Sequence, residues 1–302
     1  MIRPQALTSR DCIRIVAPAG VLKAGDLDNA VNILQQWGLK VETGNHVFDS
    51  SGFLSSSDSG RLADFQNALD DDIVRAIFCA RGGFGTGKIL DKIDFNNFLE
   101  NPKWIIGFSD ITLLHLKLHS IGVMSIHGIV ARQMGSTVDD ASTESLRKIL
   151  FGRENIIYRI GPSYLNKTGN VRALIVGGNL TLLCNNIGTS SDISFDGKIL
   201  FVEDTNESFY AIDRNFNQLA RSGKLDDIAG LIAGEFTGSK DTVPPYGKTV
   251  YEILLEYTAA GNYPVCFGFP VGHGHRNLSI PFSADCILDV KTSGIRIEFM
   301  IG

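Results

Sequence analysis

The sequence predicts an α/β protein with a doubly wound, mostly parallel sheet in its first half and a second, smaller half that is richer in strands. Two observations lead to this fold class. Short apolar runs alternate with helical patterns up to about residue 150, and such alternation is typical of βαβ units with helices on both faces of the sheet. Glycine and proline then break the periodicity, and the apolar runs that follow lie closer together.

The elements of the first half follow in a regular order. The predicted strands are IRIVAPAG, LKVETG, IVRAIFCARGG, NPKWIIGFS and VMSIHG, and the main predicted helices are LDNAVNILQQWG, RLADFQNALDD and DITLLHLKLHSIG. Ligands of such sheets collect at the carboxyl ends of the strands. We therefore expect one shared rim for the residues that directly follow apolar runs, which are Ala19, Gly20, Arg81 to Gly85, Ser109 and His127.

A domain junction is predicted where Gly152, Gly161, Pro162 and Gly169 interrupt any period. The expected organisation is an N-terminal domain over residues 1–150, a linker over 151–169 and a C-terminal domain over 170–302. The elements of the last segment are the strands ALIVGGNL, KILFVED, IAGLIAGEF, PVCFGFPVGH, CILDV and IRIEFM, with helices over 211–222 and TVYEILLEYTAAG.

Composition and charge exclude several classes of function. Lys and Arg number 28 against 33 Asp and Glu, so no global positive field attracts nucleic acid or an anionic membrane. No stretch approaches the roughly 20 apolar residues of a membrane-spanning helix. The five cysteines are scattered without a CxxC pair, as expected for reduced thiols, and the charged N-terminal stretch lacks the apolar core of a signal peptide. The expected compartment is the cytoplasm.

Ser109 is the candidate nucleophile. In WIIGFSDITLLHL an apolar strand runs into Gly107, Phe108 and Ser109, and a helical pattern begins at once. A serine at such a strand-to-helix corner lifts its hydroxyl out of the sheet and lies beside the N–H of Asp110, which a developing oxyanion needs. Serine followed by aspartate is also typical of a helix N-cap, and this feature alone favours the cap. The full GxSxG signature is absent, because Ile111 occupies the second glycine position.

A serine nucleophile needs a base and a buried carboxylate that orients it. Among six histidines, His127 follows a strand, whereas His273 and His275 lie in a glycine-flanked loop after a strand. His115 and His119 are spaced as a possible metal pair, but they lack a third ligand nearby and are interpreted as ordinary helix residues. Glu203 ends an apolar strand and leads the carboxylates, and its competitors are Asp204, Glu207, Asp213 and Glu235.

The segment ARGGFGTGK raises a nucleotide-binding alternative. It satisfies GxxxxGK from Gly82 to Lys88, but Ile89 stands where a P-loop needs a Ser or Thr hydroxyl for magnesium. The spacing of Gly83, Gly85 and Gly87 also fails the dinucleotide pattern. These glycines would equally allow backbone N–H groups to approach a substrate carbonyl, as a second oxyanion donor requires.

Seven segments in order resemble the LD-carboxypeptidase family of serine peptidases, the group that also contains the microcin C immunity proteins. They are VAPAG, ARGGFG, GFSDIT, IHG, GGNL, FVED and GFPVGH, and together they span nearly the whole chain. Two departures concern the substrate contacts. Phe84 stands where the family usually has Tyr, and IHGIV lacks the proline often found after HG.

The resemblance implies a Ser-Glu-His triad at Ser109, Glu203 and His273, with an oxyanion hole from the N–H groups of Gly83 and Asp110. It also implies a flavodoxin-like N-terminal domain, a smaller β-rich C-terminal domain, an active site at their interface and a homodimer. No metal and no cofactor are expected.

The activity implied by the resemblance is release of terminal D-alanine from murein tetrapeptides in cell-wall recycling. Two alternatives remain open at this point. One is a microcin C immunity-type amidase acting on aminoacyl adenylate analogues, and the other is a nonenzymatic nucleotide-binding module that uses GGFGTGK.

Overall fold

A computed structural model of the chain describes residues 1–152 and 154–301. Arg153 of the predicted linker and Gly302 at the end of the second predicted domain lie outside the described residues. The described chain forms two sheets, one of six strands and one of seven. No helix in these two ranges is long and apolar enough to cross a membrane.

The first sheet has the strand order of a flavodoxin-like fold. Five parallel strands lie in the order β2-β1-β3-β4-β5, which is a doubly wound arrangement with its switch point between β1 and β3. Their bounds are Cys12–Val16 (β1), Lys40–Thr43 (β2), Val74–Cys79 (β3), Trp104–Gly107 (β4) and Ser125–His127 (β5). The predicted fold class of this half is confirmed.

The described residues of the same half also form α-helices. They are Asp28–Gln36 (α1), Asp58–Asp70 (α2), Thr86–Ile89 (α3), Asn96–Glu100 (α4), Thr112–Ser120 (α5) and Asp140–Phe151 (α6). Local chemistry explains where some of them begin. Ser57 caps α2 by accepting from Gly60 N at 3.1 Å, and Asp139 caps α6 by accepting from Ser142 N at 2.9 Å.

The second sheet is mixed. Its order is β10-β9-β8-β7-β12-β13-β6, with parallel pairs from β10 to β7 and antiparallel pairs beyond. The strands are Ile156–Ile160 (β6), Gly169–Asn179 (β7), Ile199–Thr205 (β8), Gly230–Thr237 (β9), Val265–Phe267 (β10), Asp285–Lys291 (β12) and Gly294–Met300 (β13). The helices are Leu180–Asn185 (α7), Phe209–Arg221 (α8) and Val250–Thr258 (α9).

The structure differs from the predicted domain limits at two places. The segment interpreted as a linker, 151–169, contains β6, which pairs with β13 at the edge of the second sheet. Strand β11 (Ile280–Phe282) belongs to the second half of the chain but pairs antiparallel with β5 of the first sheet. Both strands are short, and the glycines around β6 hide a five-residue run whose burial alternates along the strand.

The two halves share buried apolar surface. One hydrophobic cluster includes Ile106 and Ile126 of the first sheet together with Phe201 and Phe282 from the second half of the chain. All five cysteines are free, and all but Cys184 are buried. Continuity of the core across the halves fixes the strand ends of one sheet relative to those of the other.

Candidate active site

Ser109 lies at the corner that the sequence predicts. β4 ends at Gly107, a 3-10 turn covers Ser109–Ile111, and α5 begins at Thr112. Ser109 has a φ of 62°, a left-handed conformation that costs a non-glycine residue about 1–2 kcal/mol. Such strain in ordered backbone is concentrated at functional sites.

The capping alternative for Ser109 is wrong. The residues at the N-cap positions of the 3-10 turn and of α5 are Phe108 and Ile111, and neither helix start has a side-chain cap. An N-cap residue has extended backbone angles with negative φ, which the φ of Ser109 excludes. The hydroxyl is therefore not held by the helix that follows it.

The glycine-rich loop lies directly against Ser109. A Cβ added at Gly82 would stand 3.0 Å from Ser109 Cβ and 3.2 Å from Ser109 Oγ. The next residue, Gly83, has a φ of 119°, which favours glycine. Within the described part of the chain, Gly83 N–H has no hydrogen-bond acceptor. The N–H of Asp110 belongs to the first turn of a helix, where backbone donors have no partner in the helix itself.

Two buried side chains hold this loop in place. Asp110, 2% exposed, accepts from Thr86 N at 2.8 Å through Oδ2. Burial raises the pKa of the Asp110 carboxyl, and the hydrogen bond from Thr86 N opposes this rise. Arg61 is buried and donates to Gly85 O at 2.8 Å and to Pro18 O. The glycine-rich loop is therefore fastened to the Ser109 corner through Asp110, and Arg61 ties it to the loop that follows β1.

Glu203 and His273 form a buried hydrogen-bonded pair. Glu203, fully buried near the end of β8, accepts from His273 Nδ1 at 2.7 Å through Oε2. An ionised carboxylate only accepts, so Nδ1 carries the proton and Nε2 presents a lone pair. Burial alone would lower the pKa of His273, but the charge and hydrogen bond of Glu203, together with the charge of Asp204, outweigh it and raise that pKa.

The His273 ring lies beside the nucleophile corner. Its centroid is 4.6 Å from that of Phe108, the residue directly before Ser109. Ser109 Oγ and His273 make no direct hydrogen bond within the described chain, and catalytic hydrogen bonds are often long before substrate binds. The structure thus brings Glu203 and His273 together and places the His273 ring against the residue that precedes Ser109.

The competing carboxylates have other surroundings. Asp204 accepts from Asn179 Nδ2 at 2.8 Å and from Thr181, and Asp213 accepts from two tyrosine hydroxyls, Tyr246 and Tyr257. Glu207 and Glu235 are half-buried, and burial raises the pKa of both carboxyl groups. Of the competitors, none is described as bonded to a histidine.

The remaining candidate histidines also have separate environments. His275 is exposed and bonds Thr137 O, and His127 is buried with no partner for either ring nitrogen among described residues. His115 Nε2 donates to Gly107 O at 2.8 Å, and Nδ1 accepts from Ser125 Oγ at 2.8 Å. His119 bonds Ser283 Oγ at 2.9 Å. The described residues contain no group of three or more His, Cys, Asp or Glu that could hold a metal ion.

Sequence reasoning missed Arg61 and the role of the Asp110 side chain. Arg61 lies in the first turn of α2, where a cation is unfavourable to the helix dipole. That unusual placement is a weak signal that its guanidinium serves another segment. The Asp110 carboxylate gave no signal beyond that of an acidic residue in the first turn of a helix.

Comparisons with known proteins agree with this architecture. A family model described as the LD-carboxypeptidase N-terminal domain matches residues 13–128, and one described as the LD-carboxypeptidase C-terminal domain matches residues 172–288. The probable murein peptide carboxypeptidase of Bacillus subtilis (strain 168) is 34% identical, over 98% of this chain and 94% of its own. The murein tetrapeptide carboxypeptidase of Pseudomonas aeruginosa is 29% identical, over 92% of each chain.

A solved structure is similar over the same length. The crystal structure of muramoyltetrapeptide carboxypeptidase from Oxalobacter formigenes matches with a TM-score of 0.88 and 25% identity, covering 95% of this chain and 98% of that chain. The two matched family models together, and the relative with 34% identity, cover far more than half of the sequence. The chain therefore belongs to the LD-carboxypeptidase family.

Proposed function

We propose that this protein is a serine LD-carboxypeptidase that releases terminal D-alanine from murein tetrapeptides in cell-wall recycling. The observation that carries the proposal is the buried Glu203–His273 hydrogen bond of 2.7 Å beside a serine with left-handed backbone. The names of the relatives support the substrate, because they are murein peptide and murein tetrapeptide carboxypeptidases.

The proposed reaction is acyl transfer through Ser109. His273 Nε2 accepts the hydroxyl proton while Ser109 Oγ forms a bond to the scissile carbonyl carbon. The tetrahedral oxyanion accepts hydrogen bonds from the N–H groups of Gly83 and Asp110. The C–N bond then breaks, and the proton on His273 passes to the leaving amine of D-alanine.

Water completes the reaction by the same route. His273 takes a proton from a water molecule, whose oxygen attacks the ester carbonyl, and then returns that proton to Ser109 Oγ as the ester bond breaks. The tripeptide leaves with a free carboxylate. Glu203 orients the imidazole throughout and stabilises the positive charge that His273 carries at each transfer.

The surroundings of the glycine-rich loop argue against the nucleotide-binding module. A phosphate at the N-terminus of α3 would have to occupy the place of the Asp110 carboxylate, which accepts from Thr86 N. Lys88, which a P-loop would direct at the phosphates, lies 3.4 Å from Asp58. The negative charge at this helix start would repel a phosphate.

Acidic groups near the base also disfavour the microcin immunity-type substrate. Glu235 is half-buried on β9 and lies against Gly274, the residue after His273. Burial, together with the charge of Glu203, raises the pKa of the Glu235 carboxyl. A phosphate-like linkage of an aminoacyl adenylate analogue would be unfavourable beside such carboxylates. A neutral or amine-bearing peptide suits them better.

The test is an end-point assay with purified protein and a murein tetrapeptide that ends in an L,D bond to D-alanine. We expect D-alanine and the tripeptide in equal amounts, with no cleavage of a matched tetrapeptide that ends in L-alanine. An aminoacyl adenylate analogue is assayed in parallel. Cleavage of the analogue alone, or equal cleavage of both peptide epimers, would contradict the proposed substrate.

The proposal includes a cytoplasmic homodimer that needs no metal. Support for these points is the family resemblance, so each has its own measurement. Light scattering gives the mass in solution, and fractionation of the source cells gives the compartment. Treatment with EDTA is expected to leave D-alanine release unchanged, and a loss of activity would return His115 and His119 as candidate metal ligands.

A further inference from the structure

A chain of hydrogen bonds runs from the nucleophile helix to the strand that carries Glu203. Thr112 Oγ1, in the first residue of α5, accepts from Asn179 N at 3.0 Å. Asn179 Nδ2 in turn donates to Asp204 Oδ1 at 2.8 Å. Thr112 follows Ser109 by three residues, and Asp204 directly follows Glu203. The bridge thus begins and ends next to the two parts of the proposed triad.

The bridge is buried and tightly packed. Thr112, Asn179 and Asp204 are 0%, 5% and 2% exposed. A Cβ at Gly178 would lie only 2.5 Å from Thr112 Oγ1 and 2.6 Å from Thr112 Cγ2, so only glycine lets the end of β7 approach α5 this closely. Hydrogen bonds in such a dry contact fix geometry strongly, because water cannot replace a lost partner.

Asp204 anchors the far end of the bridge rigidly. Its Oδ1 also accepts from Thr205 N at 2.8 Å. Its Oδ2 accepts from Thr181 N at 3.0 Å and from Thr181 Oγ1 at 2.8 Å. In the parallel pairing of β7 with β8, Asn179 lies opposite Glu203, the residue before Asp204. Every rotation of the Asp204 carboxylate would therefore break a hydrogen bond.

We infer that Thr112, Asn179 and Asp204 form a positioning bridge that sets the distance between Ser109 Oγ and His273 Nε2. This inference rests on the proposed function, because it takes Ser109 and His273 to be nucleophile and base. The three residues act through their neighbours. Ser109 precedes α5 directly, and His273 is hydrogen-bonded to Glu203. The bridge is a polar link between α5 and the strand that carries Glu203, and it lies close to both groups.

The principal test removes one hydroxyl without changing shape. Thr112→Val leaves Asn179 N without its acceptor, and Thr112→Ser keeps the acceptor. Displacement of reacting groups by about 1 Å can cost roughly 100-fold in rate, so we expect kcat of Thr112→Val to fall by up to about that factor. KM should change little, because the bridge acts on the transition-state geometry. Thr112→Ser should restore most of kcat.

A matched control separates this effect from ordinary destabilisation. Thr258 is another buried threonine, and its hydroxyl donates to the α9 carbonyls Leu254 O and Leu255 O. Thr258→Val should lower the melting temperature about as much as Thr112→Val while kcat stays at the wild-type value. Equal kcat losses in the two valine variants, or no loss in Thr112→Val, would overturn the positioning role.

A second readout does not depend on the murein substrate. A fluorophosphonate forms a P–O bond to Ser109 Oγ and releases fluoride, and intact-mass measurement gives the labelling rate. We expect labelling of Thr112→Val to slow in proportion to kcat, with the serine variant restored. A wild-type protein that labels at Ser109 but ignores the tetrapeptide would contradict the proposed substrate, while slow labelling of Thr112→Val would still support the bridge.

The pH profile separates the two ends of the bridge. The charge of Asp204 contributes to the raised pKa of His273, whereas Thr112 carries no charge. The acidic limb is the fall of kcat/KM as pH falls through the pKa of His273. Asp204→Asn should therefore lower kcat and move this limb to lower pH. Thr112→Val should lower kcat and leave that limb where it is. A shifted limb in Thr112→Val would mean that the threonine acts through the base's ionisation, and would overturn the geometric role.

Discussion

The two halves of the molecule bring different kinds of groups to the candidate site. The first half contributes backbone geometry: a serine with a φ of 62° and a glycine with a φ of 119° whose N–H has no acceptor among the residues that the structure describes. The second half contributes ionisable side chains, Glu203 and His273, whose coupling raises the pKa of the imidazole. Substitutions in the first half should therefore lower kcat without moving its pH dependence. Removal of a second-half charge that raises the pKa of His273 should lower kcat and also shift the pH dependence.

Removal of the nucleophile gives the largest expected effect. Ser109→Ala deletes the oxygen that is proposed to form the covalent bond to substrate, and loss of a serine nucleophile costs on the order of a million-fold in kcat. Calorimetry should show that the variant still binds the tetrapeptide. Ser120→Ala, an exposed serine at the end of the same helix, is the control. D-alanine release by Ser109→Ala at the wild-type rate would show that Ser109 is not the nucleophile.

Removal of the buried negative charge gives the next effect. Glu203→Gln keeps the side-chain size but ends the charge that favours protonated His273, and loss of an orienting carboxylate costs about 10⁴-fold in kcat. Because His273 works as a base only when neutral, wild-type activity should fall as pH falls through its raised pKa. Burial then dominates in the variant and lowers that pKa, so the acidic limb should move to lower pH.

The measurement is the pH dependence of kcat/KM for both proteins, with folding checked by circular dichroism at each pH. An acidic limb at the same pH in wild type and Glu203→Gln would contradict the charge-based account of the second half. An acidic limb that lay at higher pH in Glu203→Gln than in the wild type would contradict that account even more strongly.

The sequence predicted the sheet of the first half and the position of Ser109, but not the backbone conformation of this serine. Apolar runs and helical periodicity predicted the parallel first sheet, because its central strands β3 and β4 are buried on both faces. The placement of Ser109 followed from a strand meeting a helix at one residue. Its φ of 62° did not, because only packing against Gly82 and the following turn fixes that conformation.

Long-range pairing was the harder part. β11 crosses from the second half to the edge of the first sheet, and no pattern local to residues 280–282 specifies its partner β5. Residue patterns ranked Glu203 first among the carboxylates, but family resemblance was needed to assign it together with His273, since the two are 70 residues apart along the chain. Residue patterns alone left His127, His275 and four other carboxylates open.

Crowding at the nucleophile tests the geometric half without removing any polar group. Gly82→Ala would place a methyl group 3.0 Å from Ser109 Cβ and 3.2 Å from Oγ, so the serine must shift by a few tenths of an ångström. We expect kcat to fall by about 10- to 100-fold, because reactive alignment is sensitive to such displacements. The pH profile should stay in place, since no charge changes.

Gly161→Ala is the matched control for this substitution, because a Cβ there meets nothing within 4 Å. Both variants are assayed for kcat, KM and pH dependence. If Gly82→Ala moved the acidic limb, the loop would influence the ionisation of the base, and the division between a geometric and an electrostatic half would fail.

The smallest expected effect concerns a second carboxylate near the base. Glu235 is half-buried, and its side chain accepts a hydrogen bond from the backbone of Gly274, the residue after His273. The raised pKa of His273 is nevertheless attributable to Glu203 and Asp204 on β8. Glu235→Gln keeps an acceptor oxygen, so kcat/KM should change by no more than about fivefold, as expected for a charge contribution of roughly 1 kcal/mol or less. The acidic limb should stay at the wild-type pH, and a shift as large as that of Glu203→Gln would show that the electrostatic half extends from β8 to β9.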